Sequence, residues 1–282
     1  MKGKRVLVTG ANTGIGKWTA IGLAERGAAV IAHARDPEKG RAAVEEIRGH
    51  SSGAEVALVL ADLSSLAEVR RLAAEVLDRH PRLDVLVNNA GLISSRRVET
   101  VDGYELTFAV NHLAPFLLTN LLLDRLRAAA PARIVTVASR AHLRGRLDFD
   151  DLHCRKRYQP FDVYSRSKLA NILFTRELAR RLEGAGVTAN CLHPGVVRTE
   201  FGSDGDLGGV MGLGWWMIQP FLLSARQGAA TTLHLAASPE VEGTSGEYFD
   251  RRRVARTSSR ARDPEAAARL WRMSAEMVGL SR

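Results

Sequence analysis

A tyrosine and a lysine stand four positions apart, at Tyr164 and Lys168. They lie at the start of a strong helical pattern, so both side chains fall on one face of a helix. A nearby ammonium group favours the phenolate and lowers the pKa of a tyrosine toward the range useful for acid–base chemistry. Only six of the 40 basic residues are lysines, and lysine supplies the compact point charge that this chemistry needs. The pair predicts a proton-transferring site.

A glycine-rich turn follows directly on the first apolar segment. It reads Thr9-Gly10-Ala11-Asn12-Thr13-Gly14-Ile15-Gly16 and leads into a helical pattern. Glycines let the chain turn tightly, and the N–H groups at a helix N-terminus attract an anion. Between a strand and a helix, this spacing predicts a turn that binds the pyrophosphate of a dinucleotide. Gly-rich turns that serve packing alone are the alternative.

The end of the second predicted strand discriminates between nicotinamide cofactors. A fold that selects NAD places an acidic residue there, whereas one that accepts NADP supplies an arginine nearby. The strand ends in His33-Ala34-Arg35, and Asp36 follows. We interpret Arg35 as a ligand of the 2′-phosphate and Asp36 as the cap of the next helix, and therefore predict NADP(H). An exposed loop arginine without a ligand is the alternative.

Short β-branched segments alternate with helical patterns along the chain. The predicted strands cover residues 5–9, 28–34, 55–60, 83–87, 133–138, 187–193 and 246–249. The predicted helices cover residues 15–26, 37–48, 65–79, 102–129, 163–183 and about 264–278. This alternation predicts an α/β fold, with a Rossmann-type doubly wound parallel sheet in a three-layer αβα arrangement. We expect a single domain over residues 1–282.

Composition restricts the class of protein. With 45% hydrophobic and 25% charged residues, the chain is neither disordered, collagenous nor a multi-span membrane protein. Cys154 and Cys191 stand far apart without neighbours at metal-ligand spacing, so we expect neither a disulfide framework nor a metal site. The net charge of +9 raises the question of nucleic acid. The arginine-rich stretch 251–262 has no interleaved aromatic residues, however, and we expect no nucleic-acid partner.

Residues 207–225 form an uncharged stretch, LGGVMGLGWWMIQPFLLSA. Its glycines and proline disfavour a membrane-spanning helix. We predict an apolar lid at about residues 200–225 over a substrate pocket, with peripheral contact to a membrane or to a second subunit as alternatives. No apolar signal segment precedes the first predicted strand, so we expect a cytoplasmic location.

Six motifs, taken in order, resemble those of the short-chain dehydrogenase/reductase family and extend from residue 4 to about 250. They are the turn at 9–16, Asp62-Leu63, Asn88-Asn89-Ala90-Gly91, Asn111, Ser139 with Tyr164 and Lys168, and Pro194-Gly195-Val196-Val197-Arg198-Thr199. The long interval between Ser139 and Tyr164, with AHLRGRLDFDDL before it and SKLANILFTRELARRL after it, resembles the retinol dehydrogenase-like branch.

The resemblance implies catalytic roles for four residues. Tyr164 would exchange a proton with the substrate oxygen, and Lys168 would lower its pKa and bind the nicotinamide ribose. Ser139 would orient and polarise the carbonyl group, and Asn111 would anchor a water in a proton relay. An amide that only satisfies backbone groups inside its helix is the alternative for Asn111.

The resemblance also implies the residues that contact the cofactor. Besides Tyr164, Lys168 and Arg35, they are Gly10, Asn12, Thr13, Gly14, Ile15, Gly16, Asp62, Leu63, Asn89, Ala90, Gly91, Pro194, Gly195, Val197 and Thr199. Asp62 would meet the adenine edge, with helix capping as the alternative. We interpret His142 and His193 as packing residues rather than catalytic bases.

The implied activity is that of an NADP(H)-dependent carbonyl reductase or alcohol dehydrogenase. Its substrate would be a lipophilic small molecule, retinoid-like or long-chain. A pigment-type double-bond reductase of the same fold and a non-catalytic regulator that senses NADP(H) are alternatives. The complete set of Ser139, Tyr164 and Lys168 disfavours the regulator, which needs no proton donor. Because relatives are commonly dimers or tetramers, we expect a homo-oligomer.

Overall fold

Eight strands form one sheet in the computed structural model, which describes residues 1–51, 53–197 and 223–280. They are β1 (Arg5–Val8), β2 (Ala29–Ala34), β3 (Val56–Leu60), β4 (Val85–Asn88), β5 (Ala132–Val137), β6 (Val187–His193), β7 (Tyr248–Asp250) and β8 (Arg253–Val254). Their spatial order is β3-β2-β1-β4-β5-β6-β7-β8. All neighbours from β3 to β7 run parallel, and β8 pairs antiparallel to β7. The strand order reverses between β1 and β4, where folds of this type bind ligands.

Seven helices within the described ranges cover the sheet. They are α1 (Gly14–Ala24), α2 (Pro37–His50), α3 (Leu66–Arg79), α4 (Leu106–Ala128), α5 (Pro160–Arg181), α6 (Ala225–Ala237) and α7 (Pro264–Met277). A π-helical turn, Ala109–Leu113, lies inside α4. α4 is long and apolar enough to cross a membrane, yet 78% of its most apolar window is buried inside the molecule, as in a core helix.

Each face of the sheet is buried under its own layer of helices. In β1, the side chain of Leu7 packs in the core beneath α3, α4, α5 and α7, whereas Val6 and Val8 pack beneath α1, α2 and α6. All three are completely buried, because successive strand residues point to opposite faces and both faces are covered. The predicted three-layer α/β fold with a Rossmann-type doubly wound sheet is confirmed.

Side-chain caps define where several helices begin. Asp36 accepts hydrogen bonds from the backbone N–H groups of Glu38 and Lys39, both at 2.9 Å, so its predicted role as a cap is confirmed. The predicted helix 102–129 begins later, at Leu106. The reason is that Glu105 is the cap and accepts from the N–H groups of residues 107 and 108.

Two elements of the described chain have no counterpart in the sequence prediction. The first is α6, which begins with a reciprocal capping box between Ser224 and Gln227. The sequence carries this signal, but the lid predicted at about residues 200–225 overlaps it. The second is β8, which has only two residues. The strand predicted at 246–249 is β7, and it lies at residues 248–250. Apart from residues 223–225, the predicted lid lies outside the described residues.

A buried carboxylate ties the start of β4 to its surroundings. Asp84 is 1% exposed and accepts hydrogen bonds from Arg5 N, Lys4 Nζ and Arg82 Nε, each at 2.9 Å. Burial alone would raise the pKa of this carboxyl, but the bonds from Arg82, the Arg5 backbone and Lys4 outweigh burial and hold the pKa below its ordinary value. The ionised form therefore stabilises the fold.

We expect Asp84→Asn to lower the free energy of unfolding by about 1–3 kcal/mol near neutral pH, because buried donors lose a charged acceptor. Since the folded pKa lies below the unfolded one, this contribution is present above the unfolded pKa and is lost as pH falls through the folded pKa. The difference from wild type should therefore shrink in acid. Urea unfolding at neutral and acidic pH measures it. Asp124→Asn, at an ion pair whose aspartate is 98% exposed, should change stability by less than about 0.5 kcal/mol; equal effects would contradict the assignment.

Candidate active site

Three predicted catalytic side chains converge beyond the C-terminal end of β5. Ser139 lies two residues after this strand, and Tyr164 and Lys168 lie in the N-terminal half of α5. The side chains of Ser139 and Tyr164 are hydrogen-bonded to each other. The Nζ atom of Lys168 lies 5.5 Å from the centroid of the Tyr164 ring. A hydroxyl, a phenol and an ammonium group therefore meet at one point.

Burial sets the protonation of this group. It raises the pKa of Tyr164 to about 12, and the hydrogen bond with Ser139 reverses only part of that shift. The sequence predicts that Lys168 lowers the pKa of Tyr164, but in the structure this pKa is raised. The reason is that burial dominates, and Lys168 Nζ donates a hydrogen bond to Val137 O at 3.0 Å. Burial also lowers the pKa of Lys168 to about 8. At neutral pH the phenol keeps its proton, as a proton donor requires.

Asn111 lies in the π-helical turn of α4 and is 1% exposed. Its Oδ1 accepts from Leu92 N at 2.8 Å, and its Nδ2 donates to Leu92 O at 2.9 Å and to Ser167 Oγ at 3.0 Å. The side chain therefore ties the segment after β4 to α5, beside the catalytic pair. This agrees with a residue that satisfies backbone groups, and the water relay stays a prediction.

The glycine-rich turn packs against the ends of β1 and β4 without room for side chains. Gly10 and Gly14 have positive φ angles of 64° and 55°. A Cβ atom at Gly16 would lie 2.1 Å from Gly10 O and 2.4 Å from Asn89 Nδ2. Thr13 precedes α1, but its side chain makes no capping hydrogen bond. The first N–H groups of α1 thus lack a side-chain cap, and they fit the pyrophosphate of a dinucleotide.

Asn89 and Ala90 join this turn to the end of β4. Their N–H groups donate to the Thr9 hydroxyl at 2.9 and 3.0 Å, and Asn89 Nδ2 donates to Thr9 O at 2.8 Å. Gly91 follows, where a Cβ atom would lie 3.1 Å from Asn111 Oδ1 and 3.4 Å from Lys168 Nζ. The structure therefore places Asn89, Ala90 and Gly91 between the glycine-rich turn and the catalytic pair.

The end of β6 meets the same turn through α6. A Cβ atom at Gly228 would lie 2.6 Å from Val197 Cγ2 and 3.2 Å from Ile15 Cγ1, so these two side chains flank one point on α6. Pro194 and Gly195 follow β6 directly and are partly exposed. Thr199 lies outside the described residues.

The residues predicted to meet the adenosine end lie on the β2 and β3 side. Arg35 is exposed after β2, and Asn12 is partly exposed in the turn. Asp62 accepts from Ser64 N at 2.9 Å, and Leu63 is buried in the core. Because β1 and β4 separate β2 from β5, this group lies about 14 Å from the catalytic strand at ordinary strand spacing. An extended dinucleotide can span that separation.

His33 is a site residue that the sequence analysis did not identify. Its Nδ1 accepts from Gly10 N at 3.1 Å, and its Nε2 lies 3.1 Å from Ala61 O. Burial lowers its pKa to about 4, so the ring is neutral, with Nε2 donating and Nδ1 accepting. It fixes the glycine-rich turn against β2 and β3. No local sequence signal separates this histidine from any other buried one.

The lowered pKa of Lys168 predicts a pH-dependent stability. Below about pH 8 the cost of burying the charge is fully present. Between about pH 8 and the unfolded value of 10.5, the unfolded state holds more protons, so the unfolding free energy rises with pH. From neutral pH to about pH 9.5, the unfolding free energy of wild type should rise by about 2 kcal/mol relative to that of Lys168→Met. Chemical denaturation at both pH values measures this gain. Lys156→Met, at an exposed lysine, is the control; the same gain there would refute the assignment.

Comparisons with known proteins agree with this geometry. A family model described as short chain dehydrogenase matches residues 4–206. Retinol dehydrogenase 13 of Homo sapiens is 46% identical over 99% of this chain and 85% of its own length. Retinol dehydrogenase 12 of Mus musculus is 47% identical over 99% of this chain and 87% of its own length.

Solved structures share the fold. A structure of an uncharacterized protein from Mycobacterium Paratuberculosis has a TM-score of 0.80 and 37% identity, covering 99% of this chain and 95% of that chain. A short chain dehydrogenase from Burkholderia cenocepacia J2315 in complex with NADP has a TM-score of 0.69 and 28% identity, covering 88% of this chain and 96% of that one.

Proposed function

This chain belongs to the short-chain dehydrogenase family, in its retinol dehydrogenase-like branch, and we propose that it interconverts a carbonyl group and an alcohol with NADP(H). The observation that carries the proposal is the convergence of Ser139, Tyr164 and Lys168 beyond β5. The glycine-rich turn, with its uncapped helix N-terminus, lies at the same edge of the sheet. A nicotinamide bound there would serve as the hydride donor in carbonyl reduction and as the hydride acceptor in alcohol oxidation.

Each side chain has a defined task in carbonyl reduction. The phenol of Tyr164 donates its proton to the substrate oxygen, and its pKa of about 12 keeps that proton available at neutral pH. The hydroxyl of Ser139 donates a hydrogen bond to the same oxygen and polarises the carbonyl. The positive charge of Lys168 stabilises the phenolate that forms. In alcohol oxidation the same groups act in reverse.

The residues at the end of β2 favour NADP(H). Arg35 is exposed there, and Asp36 beside it is engaged in capping α2. β2 ends at Ala34 and is followed by Arg35 rather than by an acidic residue, and a guanidinium group can bind a 2′-phosphate. The NADP-bound relative from Burkholderia supports the same choice.

The surroundings of Tyr164 favour a lipophilic substrate. Leu143, Phe161 and Val196 are 48%, 47% and 60% exposed. Phe161 lies 6.4 Å from Tyr164 between ring centroids; Leu143 ends the turn after Ser139, and Val196 follows the β6 end. Contact with a hydrocarbon would bury this surface at about 25 cal/mol per Å². Together with the names of the relatives, this supports a retinoid-like or long-chain aldehyde, ketone or alcohol.

The remaining proposals concern assembly and location. We keep a homo-oligomer, a cytoplasmic location and the lid at about residues 200–225 as predictions. Size-exclusion chromatography with light scattering measures the first, and binding to liposomes tests the alternative that the molecule contacts a membrane surface.

Turnover tests the proposed reaction directly. Wild type should oxidise NADPH with long-chain or retinoid aldehydes, and Tyr164→Phe should bind NADPH but lose kcat by at least about 100-fold, because only the proton donor is removed. A panel of aldehydes, ketones and activated double bonds measures both. Retention of a tenth of wild-type kcat in Tyr164→Phe would mean that another acid acts. Activity confined to double bonds would favour the pigment-type alternative.

Cofactor selection is tested at Arg35. We expect wild type to bind NADPH more tightly than NADH, and Arg35→Asp to weaken NADPH binding by about 10- to 100-fold, because a charge-assisted contact worth about 1.5–3 kcal/mol is lost. Arg41→Asp makes the same charge change at an exposed position of α2 and controls for long-range electrostatics. Fluorescence titration gives the dissociation constants of NADPH and NADH for wild type and of NADPH for each of the two variants. Equal wild-type affinities for the two cofactors, or equal losses in both variants, would reject the assignment.

A further inference from the structure

The imidazole of His142 lies against the backbone of Ser139. The side chain is 1% exposed, and its Nδ1 lies 2.7 Å from Ser139 O. A carbonyl oxygen can only accept, so Nδ1 carries the proton and Nε2 is the acceptor of a neutral ring. The backbone N–H of His142 donates to the same oxygen at 3.2 Å. Two donors of one residue thus hold the carbonyl group of Ser139.

The other side of the ring is closed by aromatic packing. Tyr248 on β7 is 2% exposed and meets the imidazole edge to face, with 5.0 Å between ring centroids. Among the described residues, Nε2 of His142 has no hydrogen-bond partner. Burial, with Arg140 and Arg176 nearby, lowers the pKa of this ring. If this position served packing alone, a phenylalanine would serve it without burying an unpaired acceptor such as Nε2.

Ser139 is the residue for which the held carbonyl matters. It is the cap of the 3₁₀ turn Arg140–Leu143, with its Oγ accepting from Ala141 N at 3.1 Å. The same side chain is hydrogen-bonded to Tyr164. The orientation of the Ser139 peptide group sets the direction of its Cα–Cβ bond, and hence the position of the hydroxyl relative to the phenol.

We propose that His142 is a positioning residue for the reaction, whose Nδ1–H bond to Ser139 O fixes the serine hydroxyl toward Tyr164 and the substrate oxygen. The inference rests on the proposed function, since it concerns how Ser139 is held for that chemistry. His142 exchanges no proton with the substrate, because its one N–H is engaged by the carbonyl group. This role goes beyond the interpretation of His142 as a packing residue.

Three substitutions at His142 distinguish the effect of the Nδ1–H donor from that of the aromatic ring. His142→Phe keeps an aromatic ring and removes both nitrogens. The amide nitrogen of His142→Asn can occupy the place of Nδ1, whereas that of His142→Gln reaches the place of Nε2 and cannot serve Ser139 O. Tyr248→Phe is the matched control, because it keeps the edge-to-face ring contact with His142 and removes only a hydroxyl without a hydrogen-bond partner in the described structure.

The positioning role predicts a specific pattern of rates. His142→Phe and His142→Gln should lose kcat about tenfold or more, His142→Asn should stay within about threefold of wild type, and Tyr248→Phe should match wild type. The dissociation constant of NADPH should change by less than about twofold throughout. The deuterium isotope effect on kcat, measured with NADPH deuterated at the transferred position, should rise in the slow variants because hydride transfer becomes rate-limiting.

Other outcomes overturn the inference. Unchanged kcat in a folded His142→Phe would show that the ring only packs, and equal losses in His142→Asn and His142→Gln would show that a donor at the Nδ1 position is not what matters. If His142→Phe does not fold, the comparison of the asparagine and glutamine variants still decides. Absence of carbonyl turnover in wild type would instead refute the proposed function, so the two failures are distinguishable.

Discussion

The approach of α1 to the ends of β1 and β4 leaves no space for a side chain at Gly16. A Cβ atom there would lie 2.1 Å from Gly10 O, well inside van der Waals contact. This close approach brings the uncapped N-terminus of α1 to the edge of the sheet where the strand order reverses. Thr9 joins the two strand ends by accepting three hydrogen bonds, two from Asn89 and one from Ala90 N. The proposed cofactor site and the strand that precedes Ser139 are both positioned by this junction.

Burial then decides the charge of each group around the junction. Tyr164 is held neutral, and the pKa of Lys168 is lowered, because both groups are withdrawn from water. His33 and His142 are neutral for the same reason, and each uses a ring nitrogen to hold a backbone group of the site. A neutral imidazole can place a peptide group without adding a competing charge near the phenol. The two histidines thus hold backbone groups of the site, and in the proposed reaction the tyrosine and the lysine carry the chemistry.

Local rules account for what could be predicted. The four-residue spacing of Tyr164 and Lys168 requires one helix face whatever the fold, and Asp36 followed by proline is a capping signal that needs no tertiary context. Alternation of apolar strands and helices likewise indicated the sheet. α6 escaped prediction although Ser224 opens a capping box, because its face is defined by packing on α1 rather than by a clear apolar period.

Sequence by itself therefore determined the fold class, the glycine-rich turn and the placement of Tyr164 and Lys168 on one helix, because these depend on residue type and spacing along one or two elements. Only the tertiary structure decided that His33 holds Gly10, since the two residues lie 23 positions apart in the chain. His142 lies three residues from Ser139, and the tertiary structure decided that its ring is buried against Tyr248. It also decided that the pKa of Tyr164 rises rather than falls. Spacing places a cation near a phenol, but the dielectric surroundings that set their pKa values arise only when the core closes over them.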